Sequence, residues 1–194
     1  MAIVPLLGPD DVDEDYRVLL ERPINLFAAL INAPDGFARF HALAEWIRWD
    51  ASLDPRLREL AILYVGYLSR DAYEWSHHLR LSEQFGVTDD DIRGLIDHAE
   101  GRPSVLGPRE SLVLAATRQL TLTNALDDDL TARLTAEFSD RQLTELVIVI
   151  AFYAMVVRVL GGLRIEVEPD YLVDLARFPL PTAPHTWPAT EARP

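Results

Sequence analysis

Residues 58–78 read RELAILYVGYLSRDAYEWSHH, and this stretch decides both the fold and the candidate chemistry of the chain. The part from Leu60 to Leu68 is apolar on every side of a helix, which predicts a helix buried in the protein or in an oligomer. Glu59 lies at the start of this helix, and Glu74 and His78 follow it, four residues apart. Residues at this spacing lie on one helix face, so these two side chains are able to touch.

Composition excludes several classes of function. The chain of 194 residues suits one domain with its own core, since 49% of its residues are hydrophobic. It has no cysteine, which excludes disulfides, thiolate metal sites and thiol catalysis. All 18 basic residues are arginine, which excludes a lysine Schiff base. The net charge of −13 argues against nucleic acid or an anionic membrane as a partner.

Signals for export or membrane insertion are not recognised in the sequence. The N-terminus lacks the basic region and apolar stretch of a signal peptide, and no apolar run is read as approaching the roughly 20 residues of a membrane span. We therefore expect a cytoplasmic protein.

Helical spacing and helix-capping signals recur along the chain and no hairpin signal appears, which predicts an all-α fold. Asp54 followed by Pro55 is typical of a helix start, and Ser139 with Gln142 forms a capping box. The pattern predicts helices over residues 10–21, 25–30, 34–50, 55–68, 71–85, 88–101 and 108–120, a short one from 127, and a long one over 140–160 that Gly161 and Gly162 end. A short extended piece at 163–168 and helical turns at 170–178 follow.

The predicted organisation is a single all-α domain over residues 1–178 with a Pro-rich tail over 179–194. Within the domain, residues 1–50 form an N-terminal helical extension and residues 51–168 form the core.

Two helix starts resemble each other in sequence. The segments Asp54–Leu60 and Asp140–Leu146 both open an apolar helix. This similarity predicts two central buried helices in a two-fold pseudo-repeat, and the alternative is a shared helix-start pattern without further meaning.

Glu59, Glu74 and His78 form the candidate catalytic set. Glu59 lies on an apolar stripe, where burial favours a neutral carboxyl unless a cation compensates. Glu74 can hold the tautomer of His78 or share a proton with it. The structural alternatives are a salt bridge between Glu59 and a neighbouring arginine, and a capping box in which Glu74 folds back onto the backbone of Asp71. A metal site made of the same three side chains has a single histidine and lacks a further ligand.

Tyr73 and Tyr153 are the candidate substrate-binding residues. Tyr153 lies inside the last apolar helix, where its hydroxyl can point to the same pocket or bond to the backbone in the core. His77 lies on another helix face than His78 and is expected at the surface or at an interface. No role is assigned to the remaining histidines, His41, His98 and His185.

Blocks spread over nearly the whole chain resemble the carboxymuconolactone decarboxylase and alkylhydroperoxidase-D superfamily. These blocks are Arg58–Leu63, Tyr73–Trp75, His78, Gly86 before a Thr-Asp-Asp-Asp helix start, Asn25–Phe27, and Phe138–Leu146 with Tyr153. The resemblance implies an all-α helical bundle that assembles as a dimer, trimer or hexamer, with the site close to subunit contacts.

The resemblance implies two candidate activities, a peroxidase and a decarboxylase. The peroxidase members use a glutamate, a Cys-x-x-Cys pair and a histidine. By position, the resemblance matches Glu59 to the glutamate and His78 to the histidine, whereas the two cysteine positions hold Asp71 and Glu74. Without thiols this chain cannot reduce a peroxide by that route.

The decarboxylase members act without a cofactor on an unsaturated lactone acid. Loss of carbon dioxide leaves an enolate-like species that must be protonated, and the resemblance implies His78 as the proton donor within the acid–base set. Two carboxylates repel an anionic substrate unless one is protonated or an arginine such as Arg58 or Arg80 turns inward. The acid–base residues together with the resemblance therefore predict cofactor-free, metal-free, lyase-like chemistry on a small carbonyl or lactone acid, and the resemblance implies a homo-oligomer. The alternative is a non-catalytic small-molecule-binding or structural member of the family.

Overall fold

The computed structural model describes residues 1–182, and within that range all regular secondary structure is helical. The all-α prediction is confirmed. The α-helices are α1 (Asn25–Leu30), α2 (Pro34–Trp49), α3 (Pro55–Ser69), α4 (Ala72–Leu81), α5 (Asp89–Ala99), α6 (Pro108–Thr123), α7 (Asp128–Glu137), α8 (Asp140–Leu163) and α9 (Leu172–Arg177). Short 3-10 helices lie at Pro9–Asp11, Glu14–Leu20, Ser82–Phe85 and Pro169–Tyr171.

Helix α3 lies at the centre of the fold, because every residue from Leu57 to Leu68 is buried. It begins as predicted: the Asp54 side chain accepts a hydrogen bond from the backbone N–H of Leu57 at 3.0 Å, and Pro55 occupies the first helical position. It packs against α4, α6 and α8. It ends where Arg70 adopts a left-handed conformation, with φ of 53°.

The all-round apolar sequence of α3 follows from its position between two hydrophobic clusters. Ile62 and Val65 enter a cluster with α8 and the N-terminal helices. Leu63 and Tyr64 enter a second cluster with α5 and the C-terminal segment. A helix that buries opposite sides in two clusters has no side facing solvent, and this accounts for its apolar sequence and its predicted burial.

The N-terminal extension differs from its prediction at one place. Instead of one helix over residues 10–21, two 3-10 helices flank Val12 and Asp13, whose backbones are extended or nearly so. Five acidic side chains crowd residues 10–15, and like charges at helical spacing destabilise an α-helix. Helices α1 and α2 form as predicted, and the Phe40 ring lies 4.8 Å from that of Phe152 on α8.

Helix α8 is longer than the sequence predicts. The capping box of Ser139 and Gln142 is confirmed, but the predicted end at Gly161 and Gly162 is wrong, because the helix continues until Arg164 adopts a left-handed conformation. It is 24 residues long and contains an 18-residue window with a mean hydropathy of 2.4, so it is long and apolar enough to cross a membrane, contrary to the sequence interpretation. A core helix passes the same test, and α8 buries nine residues against the fold.

The similarity between the two helix starts leads to different contacts. Glu145, which corresponds in sequence to Glu59, accepts hydrogen bonds from the Leu53 backbone N–H at 2.7 Å and the Ser52 hydroxyl at 2.8 Å. The carboxylate of Glu145 therefore ties the start of α8 to the segment before α3.

The C-terminal segment lies across α4. The indole Nε1 of Trp75 donates to the carbonyl of Phe178 at 2.7 Å, and the guanidinium of Arg80 bonds Asp174 at 2.7 Å. Residues 165–168 have no regular structure and 169–177 form helical turns, close to the prediction. His185 and most of the predicted Pro-rich tail lie outside the described residues.

Candidate active site

The candidate site is built around a buried hydrogen bond between α3 and α4. Nδ1 of His78 lies 2.8 Å from Oε2 of Glu59, and the two side chains are 7% and 1% exposed. A carboxylate can only accept a hydrogen bond, so the neutral imidazole carries its proton on Nδ1 and a lone pair on Nε2. The sequence prediction paired His78 with Glu74 alone, and Glu59 is the residue that fixes its orientation.

Glu74 lies on the other side of the imidazole. Its Oε1 is 3.1 Å from Nε2 of His78, yet the geometry does not meet hydrogen-bond criteria, and this buried oxygen has no partner. Burial raises the pKa of Glu74 to about 7; the positive charge of His78 lowers it in part, while Asp71 and Glu59 raise it further. Near neutral pH this carboxyl therefore exchanges between protonated and ionised forms.

The capping-box alternative for Glu74 is not what the structure contains. Asp71 caps α4 by accepting from the backbone N–H of Glu74 at 2.8 Å. The Glu74 side chain does not fold back, and turns towards His78 instead. Half of the box is therefore present, and it leaves the Glu74 carboxyl free for the site.

A glycine allows the two helices to come together here. A Cβ built on Gly66 would lie 3.2 Å from the backbone nitrogen of Trp75 and 3.5 Å from Cβ of Glu74. Close approach of α3 and α4 at this point sets the position of Glu74.

Neither Arg58 nor Arg80 lines the inner cavity. Arg58 is buried, but its Nε and Nη2 lie 3.4 Å from Oε1 of Glu59 and its guanidinium covers the Phe85 ring. Arg80 bonds Asp174 and covers the ring of Tyr171. Arg58 therefore stabilises the negative charge of Glu59, as in the salt-bridge alternative, while Glu59 also bonds His78.

A small inner cavity of about 50 Å³ adjoins Glu74 and His78, with space for a few water molecules. Tyr153 lines it, and its ring meets that of His78 edge-on at 5.0 Å between centroids. Burial raises the pKa of the Tyr153 hydroxyl, and the charges of Glu74 and Glu59 raise it further. The N-terminal extension closes the cavity with Arg22, Ile24, Leu26, Phe27, Phe40, Ala44 and Arg48.

Tyr73 and His77 belong to a neighbouring cluster that the sequence did not predict. The Tyr73 hydroxyl accepts from the Leu26 backbone N–H at 3.0 Å and donates to Glu168 at 2.9 Å. His77, expected at a surface, is only 5% exposed, lies 2.8 Å from Glu168 and is stacked between Tyr73 and Tyr171. The Tyr73 ring lines the inner cavity while its hydroxyl is occupied.

Glu168 joins three parts of the chain. Burial alone would raise its pKa, but hydrogen bonds from His77 and from the Asn25 backbone N–H outweigh this and hold the pKa at about 2. Its carboxylate thereby connects the N-terminal extension, α4 and the C-terminal segment. No local motif marks Glu168, Arg22 or Arg48, because each reaches the site from a distant part of the sequence.

A larger groove of about 650 Å³ lies elsewhere, on the outer face of α8. Its lining is mostly apolar, and Arg158 is its one charged residue. It contains no acid–base pair, so the candidate chemistry belongs to the smaller inner cavity. Within residues 1–182, no group of three or more suitable side chains is placed to hold a metal ion.

Fold and site together define an all-α protein with a buried Glu–His–Glu set under an N-terminal helical cover. The carboxymuconolactone decarboxylase family model matches residues 34–119, the part that contains this set and most of the helices around it. Over these residues the chain is similar to the carboxymuconolactone decarboxylase family.

Solved structures of low sequence identity share the fold. The alkylhydroperoxidase AhpD core of an uncharacterized peroxidase-related protein from Ralstonia eutropha JMP134 is 15% identical, with a TM-score of 0.74 over 89% of this chain and 95% of that one. A peroxidase-related protein from Silicibacter sp. TM1040 is 17% identical, with a TM-score of 0.69 over 87% and 92%. The debrominase Bmp8, in complex with 2,3,4-tribromopyrrole, is 16% identical, with a TM-score of 0.77 over 91% and 97%. No curated protein matches the chain by sequence.

Proposed function

We propose that this protein catalyses cofactor-free proton transfer, of a lyase-like kind, on a small carbonyl or lactone acid. The observation that carries the proposal is the buried carboxyl of Glu74, whose unpartnered oxygen faces Nε2 of His78 at the inner cavity. Perturbed carboxyls beside a histidine in a cavity favour a functional site over a structural ion pair. Neighbours with the same fold include a debrominase, so the fold by itself does not select the reaction.

The three side chains take distinct roles in this proposal. Glu59 holds the imidazole of His78 with Nε2 towards the cavity, and Arg58 stabilises the Glu59 charge. The carboxyl of Glu74, next to Nε2 of His78, holds the transferable proton. In a decarboxylation, the electrons of the breaking C–C bond enter an enolate as carbon dioxide leaves, and this pair then delivers the proton to carbon. Solvent restores the proton afterwards.

The test uses solvent deuterium exchange, followed by NMR, on a panel of small β-keto and lactone acids. Catalysis predicts deuterium incorporation or release of carbon dioxide with the wild-type protein, and loss of both in Glu59→Gln and His78→Gln. Glu14→Gln is the matched control, since Glu14 is exposed and lies outside the inner cavity. Unchanged rates in both site variants, or no reaction with any member of the panel, would overturn the proposal.

The second candidate is a non-catalytic small-molecule-binding member. The size of the inner cavity favours it, because about 50 Å³ does not hold a lactone acid without movement of the N-terminal cover. Binding of a panel compound without exchange of its protons would select this alternative.

We also propose that the protein forms a homo-oligomer through the outer face of α8, with a second copy of this chain as the occupant of the groove. Support comes from the apolar lining, from the 41% exposure of Met155, and from the single charge at Arg158 in an otherwise highly acidic molecule. An apolar helix face of this kind is stabilised by burial against a copy of itself.

A further inference from the structure

Two cavities meet at the N-terminal extension. The inner cavity adjoins Glu74 and His78, and an outer cavity of about 220 Å³ lies between the first residues of the chain and α1. Arg22 and Ile24 line both. The remaining lining of the outer cavity is mainly apolar, formed by Leu7, Gly8, Pro9, Leu20, Pro23, Asn25 and Ala28.

Arg22 is the charged residue at the junction of these cavities. Its guanidinium forms no ion pair or hydrogen bond with any residue in the described range 1–182, and the residue is half-buried. Its charge is close enough to lower the pKa of Tyr73, His77 and Glu74, although burial dominates each of those pKa values. An arginine without a partner presents a planar fork of donors that matches a carboxylate.

The negative charge of the whole molecule makes the position of this unpaired cation a guide to where an anionic ligand can bind. A net charge of −13 repels an anionic ligand at long range, so an acid can bind only where a local cation offsets that field. The other cavity-lining arginine, Arg48, is already paired with Glu45 at 2.6 Å. Arg22 alone is available for a ligand among the arginines that line the inner cavity.

We propose that the outer cavity binds the carboxylate end of a small acid with a short apolar body, and that Arg22 is its counter-ion and specificity-determining residue. The apolar body lies against Leu7, Leu20 and Ile24, and the adjoining carbon points through the junction towards His78. The orientation towards His78 rests on the proposed function, whereas carboxylate binding at Arg22 does not.

The test is direct binding of hexanoate, with hexanamide as its neutral counterpart, measured by titration calorimetry on the full chain. We expect hexanoate to bind the wild-type protein, to bind Arg22→Gln at least about tenfold more weakly, and to bind Arg22→Lys with intermediate affinity. Arg17→Gln is the matched control, because Arg17 lies on the 3-10 helix that precedes Arg22, is exposed and lines neither cavity. Hexanamide should bind weakly to all of these proteins.

Three outcomes would overturn the inference: no binding of hexanoate to the wild type, affinities of Arg22→Gln and wild type within about twofold, or hexanamide binding as tightly as hexanoate. Circular dichroism would check that each variant is folded. If Arg22→Gln does not fold, the affinity of Arg22→Lys tests the role of Arg22 instead. His78→Gln separates the two proposals, since it should abolish deuterium exchange and leave hexanoate binding unchanged. If the wild-type protein exchanges deuterium into no compound of the panel, the proposed function fails, while the hexanoate affinities still test the role of Arg22.

Discussion

Nδ1 of His78 lies 2.8 Å from Oε2 of Glu59, although the two residues are 19 positions apart and belong to different helices. The bond places the imidazole with Nε2 towards Glu74 and the inner cavity. It also makes α3, the most buried helix of the fold, the support of the candidate chemistry.

The tautomer of His78 should depend on Glu59. We expect the neutral ring to carry its proton on Nδ1 in the wild type and to lose this preference in Glu59→Leu, where no acceptor faces Nδ1. Long-range ¹H–¹⁵N spectra distinguish the two tautomers, with His78→Gln to assign the signals. A ring protonated on Nε2 in the wild type would contradict the geometry of the site.

The free energy of unfolding should depend on pH through the raised pKa of Glu74. Because its folded-state pKa of about 7 lies above the ordinary 4.5, its stabilising effect is fully present below pH 4.5 and is lost as the pH rises through 7. The difference between these two pKa values corresponds to about 3 kcal/mol in the free energy of unfolding. Glu74→Gln should therefore gain stability relative to the wild type between pH 5 and pH 8, as measured by urea unfolding. Glu14→Gln, at an exposed position, should show no such trend.

Glu168 should have the opposite dependence on pH. Its pKa of about 2 lies below the ordinary 4.5, so its contribution is present above pH 4.5 and is lost as the pH falls towards 2. Glu168→Gln weakens the charged hydrogen bonds to His77 and to the Asn25 backbone, and we expect a loss of about 1–3 kcal/mol at neutral pH. Chemical denaturation provides the value. An unchanged unfolding free energy would show that the contacts of Glu168 do not hold the extension.

Substitution of Gly66 should disturb the site through packing. An alanine Cβ there would lie 3.2 Å from the backbone nitrogen of Trp75, tighter than an ordinary contact, so we expect α4 to shift and stability to fall by about 1–3 kcal/mol. Gly36→Ala is the matched control: it lies in α2, has open space around its Cβ, and should gain up to about 1 kcal/mol. Thermal unfolding compares the two, and equal effects would mean that the approach of α3 and α4 is not tight.

A charge on the outer face of α8 should break the proposed assembly. Met155→Asp places a carboxylate in the apolar groove, and we expect a shift towards monomer in light scattering after size-exclusion chromatography. Val105→Asp changes another exposed apolar residue, which is outside the groove, and should leave the assembly unchanged. A wild-type protein that is monomeric at high concentration would refute the interface.

Local signals predicted most of the helices correctly, because caps and apolar periodicity depend on neighbours in sequence. Asp54, Thr88 and Ser139 each cap the helix that the sequence assigned to them. The errors lie where a competing local effect was stronger, as for the acidic run of residues 10–15, and at the two exposed glycines, Gly161 and Gly162, which the helix passes before Leu163 packs against the core. Arg22, His77 and Glu168 were missed because their partners are distant in sequence.

Glu59 and Glu145 mark the boundary between what the sequence determined and what the tertiary structure decided. Both follow an N-capping residue by five or six positions at the start of an apolar helix, and this local pattern determined the helices and the burial of both carboxylates. Glu145 faces backbone and hydroxyl donors before α3 and stabilises the fold, whereas Glu59 faces the imidazole of His78. The physical reason is that a buried carboxylate must find donors, and the packing of distant helices decides which donors it meets.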